Sequence, residues 1–209
     1  MKPILLMMPL IMLGSLAYGQ EGLPLPEPQK HGGKGLMDCL NERRSSREYV
    51  DEPLNVQQLS DLLWAANGIN RPESGKRTTA NSRNKQEMDL YVFLRGGVYR
   101  YDVTTHGLLR VLEGDHRAET GKQDFVGKAA VNLVYVADYA RIGATAAEYK
   151  ATSALNAGLM VQNVYLYCAS AGLATVVRGY FDAEPLHRLL GLGEGQEVII
   201  TQSVGPEGR

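Results

Sequence analysis

The sequence lacks the excess of positive charge that binding to nucleic acid or to an anionic membrane surface requires. Its 22 lysines and arginines are balanced by 23 aspartates and glutamates, which gives a formal net charge of −1 over 209 residues. Bulk attraction to phosphate backbones needs a basic field. No nucleic-acid partner is therefore expected, whereas 44% apolar residues are enough for the core of one sizeable domain.

Several common catalytic motifs are also missing. The sequence contains no Walker A motif, no G-x-S-x-G motif and no G-x-G-x-x-G motif that opens a helix. The glycines of residues 191–195 fall between a predicted helix and a predicted strand, which indicates a turn. The four histidines show no ligand spacing with one another or with cysteine, so no metal site is expected.

Cysteine is scarce, because only Cys39 and Cys168 are present and they are far apart in the chain. Cys168 lies in a strongly apolar helical segment, where a thiol behaves as a small hydrophobic group. Two buried free thiols are the favoured interpretation. A disulfide between them stays open, because an exported protein would meet oxidising conditions.

The N-terminus resembles a secretory signal peptide in its order of features. Lys2 precedes an apolar run over residues 3–16 that is short for a membrane span, and Ala17 and Gly19 supply small residues at the −3 and −1 positions. Residues 1–19 are thus predicted to be a signal peptide cleaved near Gly19, which implies export, to the periplasm, with no stable membrane span afterwards. An uncleaved anchor is the alternative.

The remaining chain divides into a short lead and one domain. Residues 20–34 are rich in proline and glycine and are predicted to form a linker or an N-terminal arm, followed by the domain over residues 35–209. Hydrophobic periodicity predicts helices first, then a β-meander with a hairpin at Gly96-Gly97, and then alternating strands and helices. This order indicates an α+β fold with one sheet, mixed or mostly antiparallel.

Two segments depart from ordinary patterns. Residues 69–86 form a long polar stretch, which inside a compact domain is usually functional or disordered. The helix predicted to end at Gly172 is apolar nearly all the way round in its second half, and such a helix must be covered on every face. In a protein of this size, that covering suggests a second copy of the chain.

Three clusters of hydrogen-bond donors are the candidate site. The first is the stretch Arg43, Arg44, Ser45 and Arg47, which suits bidentate contact with a phosphate but also suits a solvated helix end. The second is the polar loop, with amide side chains that both donate and accept. The third is the glycine where the strand before Tyr180 ends, which permits close approach of a ligand or forms a turn.

At these clusters the sequence resembles the FMN-dependent nitroreductase family. The segment RRSSREY resembles the family's R-R-S-x-R-x-F/Y opening, and TTANSRNKQEMDLYVF resembles its P-S-x-x-N-x-Q loop. The segment NAGLMVQNVYLYCASAGLATVVRGYFD resembles its long dimer helix and following strand, and QEVIITQSVG its closing strand. Among the branches of this family, the sequence is most similar to a short branch near SagB-type dehydrogenase domains. The resemblance implies a three-layer fold and a homodimer with FMN sites at the subunit interface.

The resemblance also implies roles for individual residues. Arg43, Arg44, Ser45 and Arg47 would hold the FMN phosphate and the pyrimidine side of the ring. The residues that would reach the flavin, in this family usually from the other subunit, are Asn84, Asn81 and Ser82. The backbone at Val177, Arg178 and Gly179 would face the ring, with an N–H near the flavin N5 and no catalytic side chain assigned.

Two departures from the family pattern stand out. The family's Pro-Ser is Ala80-Asn81 here, which puts the hydroxyl contact in doubt. Family members often place basic residues beyond the last strand to close the phosphate site, and here only Arg209 is available for that role.

The implied function is hydride transfer through FMN to or from a small electron-poor organic substrate, with a nicotinamide cofactor, NAD(P)H, as a candidate electron donor. One alternative is a SagB-like oxidase or dehydrogenase that acts on a peptide or natural product. The other is a binding module for flavin or another small molecule that has no turnover.

Overall fold

The computed structural model describes residues 22–208, which are built around one seven-stranded sheet and a separate two-stranded hairpin. The strands are β1 Gly22–Pro24, β2 Ile69–Arg71, β3 Lys76–Arg77, β4 Met88–Leu94, β5 Gly97–Asp102, β6 Gly107–Glu113, β7 Val131–Asp138, β8 Leu173–Arg178 and β9 Gln196–Pro206. The helices are α1 Leu36–Glu42, α2 Val56–Asn67, α3 Ala146–Ala171 and α4 Ala183–Leu189.

The large sheet has the order β1-β6-β5-β4-β7-β9-β8, and every neighbouring pair is antiparallel. The α+β class and the single antiparallel sheet are confirmed. The expectation that the sheet could be mixed is wrong, because none of the described strand pairs is parallel. Short turns join β4 to β5 and β5 to β6, and strands joined in this way are antiparallel. The connection from β8 to β9 contains α4, and β9 is antiparallel to both of its neighbours, β7 and β8.

The sheet is covered on both faces, which confirms the three-layer arrangement. On one face, α2 and α3 pack against inward side chains of β4, β7 and β5, with Tyr135 and Leu133 fully buried. On the opposite face, Leu186 of α4 packs against Phe93 and Val134. Residues that alternate along β4 and β7 therefore belong to different cores, as strand geometry requires.

The helix starts follow from local sequence. Asn55 accepts a hydrogen bond from the Gln58 N–H at 2.8 Å, and the Gln58 side chain accepts one from the Asn55 N–H at 3.1 Å. Thr145 and Glu148 form the same reciprocal arrangement at the start of α3. The helix ends at Gly172, whose φ of 68° is in the left-handed region that glycine tolerates best.

The N-terminal lead is an arm that packs on the domain. β1 pairs with β6, and the Ser60 hydroxyl donates to the Pro26 carbonyl at 2.6 Å. This pairing extends the sheet by one edge strand, which composition alone did not predict. The signal-peptide prediction concerns residues outside the described part of the chain. No helix within residues 22–208 is long and apolar enough to cross a membrane.

Two further expectations are settled in this fold. The polar stretch over residues 69–86 is not a simple loop, because β2 and β3 form a hairpin within it. Cys39 and Cys168 are buried free thiols, as favoured from sequence. Asp182 precedes α4 and makes no capping hydrogen bond there, and its carboxylate lies 2.5 Å from Lys122 Nζ.

The long helix α3 is not covered all round within one chain. Its inner side packs on the sheet, with Met160 and Val164 buried, whereas Leu155 is 61% exposed and Leu159 is 37% exposed. A surface leucine on its own is ordinary, but these two lie one turn apart on the same side of the helix.

Candidate functional site

The first donor cluster lies along the outer edge of β8, the last strand of the sheet. The Ser46 N–H donates to the Thr175 carbonyl at 3.0 Å, and the Val177 N–H donates to the Tyr165 hydroxyl at 3.0 Å. The same hydroxyl lies 2.8 Å from Ser45 Oγ. An edge strand has unpaired backbone groups, and here α3 and the segment after α1 satisfy them. The first and third clusters predicted from sequence are thus adjacent.

A cavity of about 520 Å³ opens beside this edge, between the end of α1, the C-terminal half of α3, the start of β8 and the residue that follows β9. This volume is within the range of roughly 300–1,000 Å³ usual for small-molecule sites. The lining residues are Lys34, Asn41, Glu42, Arg43, Arg44, Ser46, Tyr165, Cys168, Ala169, Gly172, Leu173, Thr175 and Glu207.

The cavity is rich in charge, and its cations differ in availability. Lys34 Nζ lies 2.5 Å from a carboxylate oxygen of Glu42, and Arg44 Nη2 lies 2.8 Å from one of Glu207. Arg43 makes no ion pair within residues 22–208; its guanidinium carbon lies 5.1 Å from the centre of the Tyr165 ring, a cation–π distance. Arg43 is therefore the cation of this cavity best placed to meet an anionic ligand.

Arg47, the last member of the first cluster, is exposed and has no side-chain hydrogen bond within the described part of the chain. It belongs to the segment that continues to Tyr49, whose ring is buried and whose hydroxyl donates to the Ser46 carbonyl at 3.0 Å. Burial raises the pKa of the Tyr49 phenol, so it acts as a neutral anchor for this segment.

The second donor cluster is held by a buried acid. Glu87 is fully buried, and its carboxylate accepts hydrogen bonds from Asn81 Nδ2 at 2.9 Å, Ser153 Oγ at 3.0 Å and Asn156 Nδ2 at 2.7 Å. Asn81 Oδ1 also accepts from the Gln86 N–H at 2.8 Å. Both polar atoms of the Asn81 side chain are therefore occupied within the subunit.

The other loop residues differ in how far their polar side-chain atoms are occupied by hydrogen bonds within the subunit. Ser82 Oγ lies 3.4 Å from Asn156 Oδ1, whereas Asn84 is exposed, and among residues 22–208 only its Oδ1 is engaged, by Gln86 Nε2 at 2.8 Å. The φ values of Arg83 and Asn84 are both 54°, which places them in the left-handed region that asparagine tolerates better than most residues. Asn84, rather than Asn81 or Ser82, keeps free donors that can reach a ligand.

Within one chain, the second cluster does not meet the first. The loop contacts α3 at Asn156, whereas the cavity contacts α3 at Tyr165. At roughly 1.5 Å of rise per residue, these contacts are about 14 Å apart along the helix. The resemblance implies that the second cluster reaches the flavin of another subunit.

The Arg178 side chain points away from the cavity. It is 3% exposed, and its guanidinium donates to the Thr120 carbonyl at 2.8 Å and to Asn132 Oδ1 at 3.2 Å. Burial without a carboxylate partner lowers the pKa of Arg178 to about 10. Only the backbone of Arg178 and of its exposed neighbour Gly179 can face a ligand at the strand end.

Two residues of the site could not be recognised from the sequence. Tyr165 lies in an apolar helix, where its ring is indistinguishable from core residues, and its hydroxyl joins Ser45 to Val177 only through the fold. Glu207 follows the last strand and carries no motif. Arg209, the basic residue expected near this position, is outside the described residues.

The arrangement can be compared with known proteins. A family model described as the nitroreductase family matches residues 40–206. The chain belongs to the nitroreductase family. A protein of Methanocaldococcus jannaschii named as a nitroreductase, MJ1384, is 32% identical over 173 residues, which is 76% of this chain and 85% of that protein.

Solved structures of the family have the same fold. A nitroreductase-family protein of Ralstonia eutropha JMP134 superposes with a TM-score of 0.85 at 40% identity, covering 100% of this chain and 98% of that one. The NADPH:FMN oxidoreductase of Vibrio harveyi, in complex with NAD⁺, superposes with a TM-score of 0.64 at 22% identity, covering 83% of this chain and 69% of that one. At that lower identity the likeness concerns the fold.

The residues at the cavity fit the phosphate-bearing cofactor that the family resemblance implies. Arg43 supplies a guanidinium with no ion pair among the described residues, Arg44 a guanidinium paired with Glu207, and Ser46 a hydroxyl; two guanidinium groups beside a hydroxyl are typical of a phosphate site. The cavity is large enough for a small-molecule cofactor and opens beside the first residues of β8, where Leu173 and Thr175 line it. The carboxylates of Glu42 and Glu207 also line the cavity, and their negative charge opposes the binding of a phosphate.

Proposed function

We propose that this nitroreductase-family protein is an exported, FMN-dependent oxidoreductase that transfers hydride to or from a small electron-poor organic substrate. The observation that carries the proposal is the cavity beside β8, which Arg43 and Tyr165 line, and where the Tyr165 hydroxyl lies 2.8 Å from Ser45 Oγ and accepts from the Val177 N–H at 3.0 Å. Cation, hydroxyl and backbone donors side by side are the chemistry that a flavin with a phosphate tail requires.

In this proposal each donor has a separate task. Arg43 and Arg44 hold the phosphate, and Arg47 lies toward the pyrimidine side of the ring. Tyr165 orients Ser45 and fixes the edge of β8 through the Val177 N–H. The backbone at Arg178 and the exposed Gly179 leaves room for the ring at the strand end.

The bound FMN would supply the hydride chemistry itself, with a nicotinamide cofactor as a candidate donor. The protein supplies binding, orientation and charge. Guanidinium groups preorganised beside the cofactor would stabilise negative charge that develops on it during reduction. The NADPH:FMN oxidoreductase among the structural neighbours supports this assignment of cofactors.

The active form is proposed to be a homodimer. Leu155 and Leu159 leave an apolar strip on α3 exposed, and the two donor clusters contact α3 at positions about 14 Å apart, as expected if each site takes its loop from the other subunit. Light scattering of the purified protein at micromolar concentration should give the mass of two chains. A mass of one chain would remove the shared site from the proposal.

Export is the remaining part of the proposal and rests on the sequence of residues 1–19. N-terminal sequencing of protein recovered from a periplasmic extract should begin at Gln20. A chain that still starts at Met1 would contradict cleavage near Gly19.

The decisive experiment is an absorbance spectrum of residues 20–209 after incubation with FMN and desalting. Retained visible flavin bands at about one FMN per chain are expected, followed by bleaching on addition of NADH or NADPH. Retained bands that no nicotinamide cofactor bleaches would leave the donor open and favour the SagB-like alternative. A colourless protein would contradict the proposal and favour a binding module without flavin chemistry.

A further inference from the structure

The cavity beside β8 contains an acid where an anion would have to bind. Glu207 lines the cavity, and its carboxylate oxygen Oε1 lies 2.8 Å from Arg44 Nη2. A carboxylate so placed occupies a guanidinium that a phosphate would otherwise use. It also brings negative charge close to any phosphate that enters.

The backbone around Glu207 is fixed, so the acid cannot leave as a segment. The Val50 N–H donates to the Pro206 carbonyl at 3.1 Å, and the Gly208 N–H donates to the Glu48 carbonyl at 2.9 Å. An isolated bridge pairs Tyr49 with Glu207 between these two bonds. Both sides of Glu207 are thus tied to the segment that carries the first donor cluster.

The two partners of this ion pair differ in exposure. The Arg44 side chain is 70% exposed, whereas that of Glu207 is 35% exposed. An exposed ion pair is worth little, so the Arg44 guanidinium can exchange one acceptor for another at small cost. The guanidinium is therefore the more exposed partner, and the carboxylate belongs to a residue whose backbone is fixed.

We propose that Glu207 is a built-in competitor of the FMN phosphate, so that FMN binds only as Arg44 exchanges the Glu207 carboxylate for the phosphate. This inference rests on the proposed function and adds a control of cofactor affinity to it. Glu207 lowers the affinity for phosphorylated flavin and leaves the affinity for the same flavin without its phosphate unchanged. The cofactor is consequently held less tightly than the cations alone would hold it.

The size of the effect follows from charge. A phosphate monoester carries about −1.5 to −2 charges at neutral pH. Removing one carboxylate at close range from such a group, in a partly exposed site, corresponds to about tenfold in a dissociation constant. Loss of competition for Arg44 acts in the same direction.

The test is a fluorescence titration of residues 20–209 with FMN and, separately, with riboflavin, for the unchanged protein and for Glu207→Gln. The variant should bind FMN about tenfold more tightly and riboflavin within about twofold of the unchanged protein. Glu184→Gln is the matched control, because Glu184 is also ion-paired, at 2.7 Å from Arg188, but lies on α4 at the opposite face of the sheet. It should change neither affinity.

Each other outcome overturns the inference in a recognisable way. Unchanged or weaker FMN binding by Glu207→Gln would show that the carboxylate does not compete. Equal tightening for both flavins would show that it acts on the ring or on the fold. In both cases the proposed function survives if the unchanged protein binds FMN. If neither the unchanged protein nor Glu207→Gln binds FMN or riboflavin, the proposed function is overturned together with this inference.

Discussion

Two groups of arginines in this protein show how differently the same side chain is used. The exposed group, Arg43, Arg44 and Arg47, follows α1 and lies at or near the cavity beside β8. The buried group, Arg117 and Arg178, lies beneath the ends of β7, β8 and β9. The exposed group keeps donors that face solvent, whereas the buried group directs its donors almost entirely at the protein.

The buried arginines hold loop backbone in place. Arg117 forms two bonds to the Asp115 carboxylate, at 2.9 and 2.8 Å, and donates to the Ala129 carbonyl at 2.9 Å. Arg178 has only neutral acceptors, and its Nε has no hydrogen-bond partner among the described residues. Gly121 makes room for it, since a Cβ there would lie 1.9 Å from Arg178 Nη1. A charged side chain is therefore not enough to indicate a ligand site, because the side chain must also have hydrogen-bond donors that a ligand can reach.

Arg178→Ala is the change expected to have the largest effect, and it tests the structural role of the buried group. The variant leaves a cavity and removes the donor of the Thr120 carbonyl, so the free energy of unfolding should fall by about 3 kcal/mol. Urea unfolding measures this difference. The exposed Arg47→Ala is the control and should stay within about 0.5 kcal/mol of the unchanged protein. Equal losses would erase the distinction between the two groups.

Arg43→Ala tests the ligand-binding role of the exposed group, with a smaller expected effect. Loss of a charge-assisted contact to phosphate should weaken FMN binding by at least about tenfold while the free energy of unfolding stays nearly constant. Flavin retained after desalting, together with a fluorescence titration, gives the result. Arg188→Ala, on the opposite face of the sheet, should retain FMN fully. Full occupancy in Arg43→Ala would remove this residue from the site.

Tyr165→Phe has the smallest expected effect and probes the junction between the exposed cluster and β8. Without the hydroxyl, the Val177 N–H and Ser45 lose a shared partner, which should cost about 1 kcal/mol of stability and weaken FMN binding a few-fold. Tyr167→Phe loses a comparable bond, to the Gln58 carbonyl at 3.1 Å, away from the cavity. It should lose similar stability but keep FMN affinity. Parallel loss of affinity in both variants would argue against a specific role for Tyr165.

The secondary structure was largely predictable because its signals are local. Hydrophobic periodicity predicted helices at the start of the domain, where α1 and α2 lie, and the glycine pair Gly96-Gly97 predicted the β4–β5 hairpin. The β1–β6 pairing was not predictable, because Gly22–Pro24 has no strand pattern and gains its partner only when the sheet is assembled. The same holds for β2 and β3, which are too short to produce a periodic signal.

The candidate site was predictable in part. The sequence identified the donor clusters, and the fold brings Ser45 and Val177 to one hydroxyl. It did not show that Glu87 occupies the side chain of Asn81. The assignments of all these residues to flavin contacts stay predictions, including those of Arg43, Asn84, Arg209 and the backbone at Gly179, as does the likeness to SagB-type domains.

The sequence by itself determined the helices and most strands, and it held the patterns that mark the nitroreductase family, because caps, turns and hydrophobic periods are encoded over a few residues. Only the tertiary structure decided which polar groups remain available to a ligand. That availability depends on partners far away in the chain, such as Glu207 beside Arg44 and Glu87 beside Asn81. Whether a side-chain donor is free or already hydrogen-bonded depends on how those distant residues pack together in the folded chain.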